Sequence, residues 1–331
     1  MERPRAAIIG LSGQALTPGE VALLRATPPL GIILFARNIA APAQLRALTA
    51  SIQELLGEQA PILVDQEGGR VARLRPPHWP AFPPAASFEG GAAEAAEANA
   101  ALLGLTCRQE GFDVVCAPVL DLRLPGQHDI IGDRAFSADP AEVARLGRAF
   151  VQGLQSAGCI PVIKHLPGHG RAMADSHLEL PRVAASRDEL AADCAPFQAL
   201  AGSGAWAMTA HILYPAFDPD LPATLSPGVV GQVIRGAIGF DGVLVSDDLC
   251  MRALQGQPGA LACQAIHAGC DLVLHCNGET DEAAALLAAC PALSEAAERR
   301  LAQARARMQQ RRRLLDPAAL EAARAGRPAA A

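Results

Sequence analysis

The sequence predicts an α/β fold, a (β/α)8 barrel, on three observations. Short apolar runs rich in Val, Ile and Leu recur eight times along the 331 residues. Longer alanine-rich stretches separate them, the pattern of buried parallel strands alternating with helices. Charged residues and histidines stand where the runs end, and the loops at the C-terminal ends of barrel strands are where such a fold builds its site. A hydrophobic content of 50% lets the chain bury a large core, and its length suits one large barrel or two ordinary domains. The eightfold alternation decides for one.

In chain order the runs are AAIIGLSG from Ala6, GIILFARN from Gly31, PILVDQEGG from Pro61, FDVVCAPVLDL from Phe112, CIPVIKHLPG from Cys159, AWAMTAHILYP from Ala205, GVLVSDDL from Gly242 and DLVLHCNG from Asp271. Helices are expected between them, among others at 42–56 and 140–157, where proline opens the segment, at 186–200, where Ser186 is placed to cap, and at 92–110 and 226–235. The proline cluster from Pro76 to Pro84 reads as a surface loop. From Pro291 onward the chain reads as a helix packed on the barrel, followed by a frayed alanine-rich tail. No repeat, linker or compositional break divides the sequence. We therefore expect a single TIM-barrel domain over residues 1–331, the barrel spanning about residues 6–290 and a C-terminal helical extension the remainder.

Composition excludes several classes of function. A net charge of -6 disfavours a nucleic-acid binder, which needs a basic surface to displace counterions from phosphates. The arginine run from Arg299 to Arg313 is interleaved with helix formers near Glu295 and Glu298 and reads as a solvated helix. Nine cysteines carry no CxxC pair or zinc-ligand spacing, and Cys116, Cys159 and Cys270 fall in apolar runs, which indicates reduced, buried thiols in the cytoplasm. The apolar run near the N-terminus is too short for a signal-peptide core, and no stretch approaches a membrane span. We expect no membrane or nucleic-acid partner, no cofactor and a monomer.

Polar residues collect at the strand ends: Arg37 and Asn38 after the second run, Asp65 at the third, Asp121 at the fourth, Lys164 and His165 at the fifth, His211 at the sixth, Asp247 and Asp248 at the seventh, His275 and Asn277 at the eighth. Any one of these could be a cap. So many together point to convergence on a common pocket. Lys164 is the sole lysine, every other basic side chain being arginine, and it sits beside His165, His169, Asp175 and His177 in one glycine-rich segment. A compact ammonium and a guanidinium are not interchangeable at a tight polar site. Asp175 beside His177 can fix the imidazole tautomer and raise its basicity, giving a general acid and base near neutral pH. With a strand-end carboxylate from VSDDL as nucleophile, this is the minimum set for retaining glycoside hydrolysis. Strand alternation puts Asp247 and Asp248 on opposite faces, so that one of them leads, and it does not choose between them. His169, between two glycines, reads as a loop-structuring residue, and His211 as a hydrogen-bonding residue of the barrel mouth. The spacing of His165, His169 and His177 matches no common zinc pattern, so no metal is expected.

In order, LFARNI, VDQEGGRVARL, IGDRAFS, KHLPGHG with DSH downstream, MTAHILYP and GVLVSDDL closely resemble the bacterial β-N-acetylglucosaminidases of family-three glycoside hydrolases, the NagZ type, from about residue 6 to 280. The resemblance implies that Asp247 is the nucleophile, His177 the acid/base and Asp175 its orienting partner. It implies further that Asp65, Arg73, Lys164 and His165 bind the hydroxyls of the terminal sugar, and that Arg134 contacts the substrate near its acetamido or a neighbouring group. The implied activity is removal of terminal N-acetylglucosamine from 1,6-anhydro-N-acetylmuramic acid fragments in peptidoglycan recycling. A phosphorylase on the same fold is the near alternative, and a Schiff-base lyase or aldolase using Lys164 the distant one. A non-catalytic sugar-binding protein is a third, disfavoured because both reactive groups are present.

Overall fold

The computed structural model describes residues 3–126, 129–176 and 178–326. Eight parallel strands close into a barrel in sequence order. They are β1 (Arg5–Gly10), β2 (Pro29–Leu34), β3 (Ile62–Val64), β4 (Val114–Val115), β5 (Ile160–Leu166), β6 (Trp206–Thr209), β7 (Leu244–Asp248) and β8 (Leu272–His275). Each falls within or against one of the eight apolar runs. Strands buried on both faces keep near-continuous apolar sequences, which is why the runs were legible. The fourth is the exception in length. Its run spans eleven residues, but only Val114–Val115 form ladder, because Pro118 has no N–H to give. The chain nevertheless stays against β5, where Val162 N donates to Ala117 O at 3.1 Å, Lys164 N to Pro118 O at 3.3 Å, and Leu120 N to Lys164 O at 2.8 Å.

Around the barrel lie α1 (Pro18–Ala26), α2 (Pro42–Leu56), α3 (Ala93–Gln109), α4 (Pro140–Ser156), α5 (Arg187–Leu200), a π-helix at Val229–Ala237, α6 (Pro258–Ala268), α7 (Thr280–Ala289), α8 (Glu295–Arg311) and α9 (Pro317–Arg324). The expected caps are in place. Ser186 Oγ accepts from Glu189 N at 3.3 Å while Glu189 accepts from Ser186 N at 2.8 Å, a reciprocal capping box. The helix expected at 226–235 opens as expected, with Ser226 as its cap, its Oγ accepting from Val229 N at 3.0 Å, and it winds as a π-helix over Val229–Ala237.

The proline-rich segment 76–84 lies at the surface as expected, and pins itself there by two buried side chains, Trp79 and Phe82, with Trp79 Nε1 donating to Glu110 at 3.0 Å. One surface expectation needs correction. The arginine helix α8 is only partly solvated. Its Arg300 holds Asp271 at 2.9 Å and Asp241 at 2.8 Å, Arg311 holds Gln155 at 2.9 Å, and Arg305 bonds Gln59. Asp271 immediately precedes β8, and also accepts from Arg235 at 2.9 Å. The guanidinium forks thus fasten α8 to loops that precede the strands, leaving the opposite end of the barrel open for chemistry. The free thiols of Cys116, Cys159 and Cys270 are buried as expected, and burial pushes those of Cys159 and Cys270 up to about 12, which keeps them inert.

Helices α3 and α4 pack tightly in the outer layer, and glycine permits it. A Cβ on Gly153 would stand 2.2 Å from Glu97 O and 2.8 Å from Ala100 Cβ. Gly153→Ala should lower unfolding stability by about 1–3 kcal/mol through overpacking. Gly231→Ala, whose new Cβ meets nothing within 4 Å, should be neutral or stabilising by up to about 1 kcal/mol. Urea denaturation of the two variants checks this, and equal effects would refute the packing argument.

Candidate active site

At the C-terminal end of the barrel opens a cavity of about 350 Å³, floored by Ile33, Met208 and Leu274 and walled by charged side chains. That size lies near the lower end of ligand sites, about 300–1,000 Å³, and suits one sugar ring. Asp65 follows β3, Lys164 and His165 belong to β5, and Asp247 and Asp248 close β7. Of the expected substrate residues, Asp65, Arg73, Arg134, Lys164 and His165 all border the cavity, together with Asp247.

Lys164 organises the wall. Its ammonium, 2% exposed, lies 3.1 Å from Asp65 and 2.7 Å from Glu67. Asp65 continues to Arg73 at 3.1 Å, and Glu67 to Arg134 through a two-pronged pair at 2.8 and 2.9 Å. The result is a ladder of alternating charge, Arg73, Asp65, Lys164, Glu67, Arg134. Burial alone would raise the carboxyls, but the cations overcome it: Asp65 is held below the usual range by Lys164 and Arg73, and Glu67 falls to about 2 beside Arg134 and Lys164. Burial likewise pulls Lys164 down, and Asp65 and Glu67 more than reverse it, so the ammonium stays charged. A Schiff-base lysine needs the opposite environment, a depressed pKa that frees the amine. The lyase alternative has no support in this geometry.

The histidines divide by role. Asp121, fully buried, takes the His165 ring Nδ1 at 2.7 Å and the backbone N–H groups of His165 and His169 at 3.1 and 2.6 Å. Burial opposes its charge, but His165 and those N–H groups hold it below the ordinary range. An anionic partner at Nδ1 fixes the tautomer and leaves His165 Nε2 as the free nitrogen of the ring. The His169 ring borders the cavity, 3.4 Å from Ser176 Oγ, and burial with the neighbouring His165 lowers it to about 4. It is therefore neutral at physiological pH. His211 bonds Thr224 at 2.7 Å and the Asp248 carbonyl at 3.0 Å, the barrel-mouth role expected of it. Asp175 is described, with its carbonyl accepting from Leu178 N at 2.9 Å, and the next residue, Ser176, borders the cavity. His177 lies outside the described residues.

Strand alternation fails at both reactive ends. Register shifts fall between Ile163 and Leu166 and between Val245 and Asp248, and they bring consecutive side chains, Lys164 with His165 and Asp247 with Asp248, to one cavity. Hydrogen bonding then separates the aspartates. Asp248 Oδ1 accepts from Cys250 N and Cys276 N, both at 3.0 Å, stapling the β7 and β8 loops. Asp247 accepts from a single described backbone donor, Asp248 N at 2.8 Å, and although burial pushes its carboxyl up, His211 and His165 hold it below the ordinary range. It is the ionised carboxylate with capacity to spare.

Convergence on one pocket was too broad an expectation. Arg37 and Asn38 instead secure the loop after β1: Arg37 donates to Leu11 O at 2.8 Å and to Cys276 O, and Asn38 to Leu11 O and Gly13 O at 3.0 and 2.8 Å. Asp121 and His211 support residues of the site from behind, and His275 and Asn277 lie off its lining. Conversely, Glu67, Arg70 and Phe35 border the cavity without having been singled out. Glu67 carried a signal, since it stands two residues after Asp65, the spacing of one strand face.

An open pocket at the mouth of a (β/α)8 barrel, with an apolar floor, charged walls and an ionised carboxylate beside paired charges, has the make-up of a hydrolase site for a small polyhydroxylated substrate. Comparison with known proteins carries this to a family. The glycosyl hydrolase family 3 N-terminal domain matches residues 20–311. A β-hexosaminidase of Alkalilimnicola ehrlichii is 44% identical over 282 residues, covering 82% of this chain and 80% of that protein. One from Pseudomonas aeruginosa is 40% identical over 286 residues, covering 85% of each. Among solved structures, NagZ from Neisseria gonorrhoeae in complex with N-trifluoroacetyl-D-glucosamine superposes with a TM-score of 0.84 at 34% identity, over 98% of this chain and 97% of that one. The chain belongs to glycosyl hydrolase family 3, in its NagZ-type β-N-acetylhexosaminidase branch, and is a glycoside hydrolase.

The Glu67 pair generates a prediction of acid sensitivity. A carboxyl depressed to about 2 from 4.5 contributes stability that is complete above the unfolded value and is lost as pH falls from about 4.5 towards 2. Glu67→Gln should remove this slope. At pH 7 it should also cost about 3–5 kcal/mol, because two buried cations lose a shared anion. Urea denaturation at several pH values between 2 and 7 measures both; an unchanged slope would contradict the assignment.

Proposed function

We propose that the chain is a retaining exo-β-N-acetylglucosaminidase that removes terminal β-linked N-acetylglucosamine from 1,6-anhydro-N-acetylmuramic acid fragments in peptidoglycan recycling, acting as a cytoplasmic single-domain monomer. The observation that carries this reading is Asp247, an ionised strand-end carboxylate with an unused oxygen, facing a cavity of single-sugar size. In support, the curated relatives are named β-hexosaminidases and a structural neighbour was solved with an N-acylated glucosamine. The cytoplasmic reading rests on nine free cysteines. No helix of the described residues is long and apolar enough to cross a membrane.

In the proposed reaction Asp247 attacks the anomeric carbon while His177, oriented by Asp175, protonates the departing oxygen, and a glycosyl-aspartate forms. His177 then takes a proton from water, which attacks the same carbon and restores Asp247 with net retention. Asp65, Arg73, Lys164 and His165 receive the sugar hydroxyls. Charged partners suit them, because each hydroxyl both donates and accepts. Arg134 has two N–H donors left after Glu67 and the Ile130 carbonyl, and these are available to the acetamido side of the sugar.

Asp247→Ala should lower kcat/KM at least about a thousandfold, close to 4 kcal/mol of transition-state stabilisation, with the fold intact by circular dichroism. A 5-fluoro-N-acetylglucosaminyl fluoride should label Asp247. A label found on Asp248 instead would overturn the assignment, and phosphate-dependent release of sugar 1-phosphate would replace hydrolysis with phosphorolysis.

His177→Ala should discriminate by leaving group. An aryl glycoside that departs without protonation should still form the intermediate, whereas a natural disaccharide should barely react. Azide, which needs no general base, should then accelerate turnover and yield the β-glycosyl azide. Equal loss on both substrates with no azide product would move the acid/base role to another residue.

A further inference from the structure

Behind the strand that carries Asp247 sits a second cluster that the hydrolytic machinery does not use. Cys250 follows β7, His275 ends β8, and Glu282 lies in the first turn of α7. Cys250 Sγ, a His275 ring nitrogen and a Glu282 carboxylate oxygen lie within 4.8 Å of one another, the one such metal-competent group among the described residues. Leu274 faces the sugar pocket, so alternation turns its neighbour His275 outward, towards the helical layer.

His275 supplies the independent observation. It is 1% exposed, yet neither ring nitrogen makes a well-formed hydrogen bond; the nearest partner of Nε2 is Glu282 Oε2, in a loose contact at 3.5 Å. An imidazole buried in this way is costly unless something coordinates it. The carboxylate, in turn, is already oriented, because Asn277 Nδ2 donates to Glu282 Oε2 at 2.6 Å. A ligating carboxylate is commonly held by such an outer hydrogen bond.

We propose that Cys250, His275 and Glu282 bind zinc, or a divalent transition metal of similar softness, with water as the fourth ligand. Thiolate and imidazole select such ions over magnesium and calcium, which prefer all-oxygen sites. Zinc distances of about 2.0–2.3 Å set tetrahedral donor atoms roughly 3.3–3.7 Å apart. The widest separation must therefore contract, and Glu282, half exposed at the cluster's open side, supplies the movement by rotation. The Cys250 thiol proton leaves to solvent as the ion enters. Bound metal would clamp the loop after β7 to α7, and Asp248 would feel it directly, since its carboxylate accepts from Cys250 N and Cys276 N. The site is thus a brace on the nucleophile strand, separate from the sugar pocket.

The test uses the full chain, reduced and stripped with a chelator, titrated with cobalt(II). Wild type should develop a near-ultraviolet thiolate-to-cobalt band that saturates at about one equivalent and is abolished by zinc. Cys250→Ser should lose the band, while Cys263→Ser, which removes the exposed thiol, should keep it. His275→Gln should weaken cobalt binding at least about tenfold. Zinc should raise the Tm of wild type and leave that of Cys250→Ser unmoved, with the hydrolytic activity of metal-free Cys250→Ser close to wild type. No band in wild type, or an undiminished band in Cys250→Ser, would overturn the proposal.

Discussion

The ion pairs of Lys164 with Asp65 and Glu67 are the interaction on which the rest of the pocket depends. Three strand ends meet there: β3 supplies both carboxylates through its following loop, β5 supplies the ammonium, and the loop before α4 reaches in through Arg134. Taking five charges out of water is expensive, and their attraction repays it only when every member is paired. The alternating order of the ladder meets that condition. It also explains why one lysine survives in a chain otherwise furnished with arginine. A flat guanidinium spreads its donors in a fork. At the centre of the ladder the need is for a compact cation that bonds two carboxylates at one point and still fits a closed wall.

Much of this was legible before any coordinates. Buried parallel strands advertise themselves as apolar runs, and the solitary lysine with its histidine-rich neighbourhood marked the reactive segment. What the sequence could not convey was direction. At a strand end one polar residue faces the pocket and the next faces the helices, and a local register shift can send both inward, as at Lys164 with His165 and Asp247 with Asp248. Arg37, Asn38 and His275 looked equivalent to Asp65 in sequence, yet their side chains tie down loops or turn outward. Glu67 was missed although it stands only two residues from Asp65, because a carboxylate inside DQEGG reads as loop polarity until its two cationic partners are seen.

The two ends of the barrel bear different burdens. One gathers the reactive groups. The other is fastened by α8, where Arg300 and Arg235 converge on the carboxylate of Asp271 at the start of β8. Binding energy spent on orienting a sugar demands a wall that does not relax, and a barrel fastened at its far end offers one. Asp121 extends the same logic inward: a fully buried anion, saturated by two backbone N–H groups and a ring nitrogen, it aligns the β5 loop without touching the cavity itself.

The scarcity of lysine also gives the chain an unusual chemical profile. Reagents that acylate or alkylate amines need a neutral nitrogen within reach, and the one lysine side chain is almost wholly buried in the cavity wall and kept charged by two carboxylates. Apart from any α-amino group, the folded protein should be inert to amine-directed labels, immobilisation and cross-linking. The same reagents would acquire a target when the ladder comes apart, so the modification of a single side chain reports the opening of the active site.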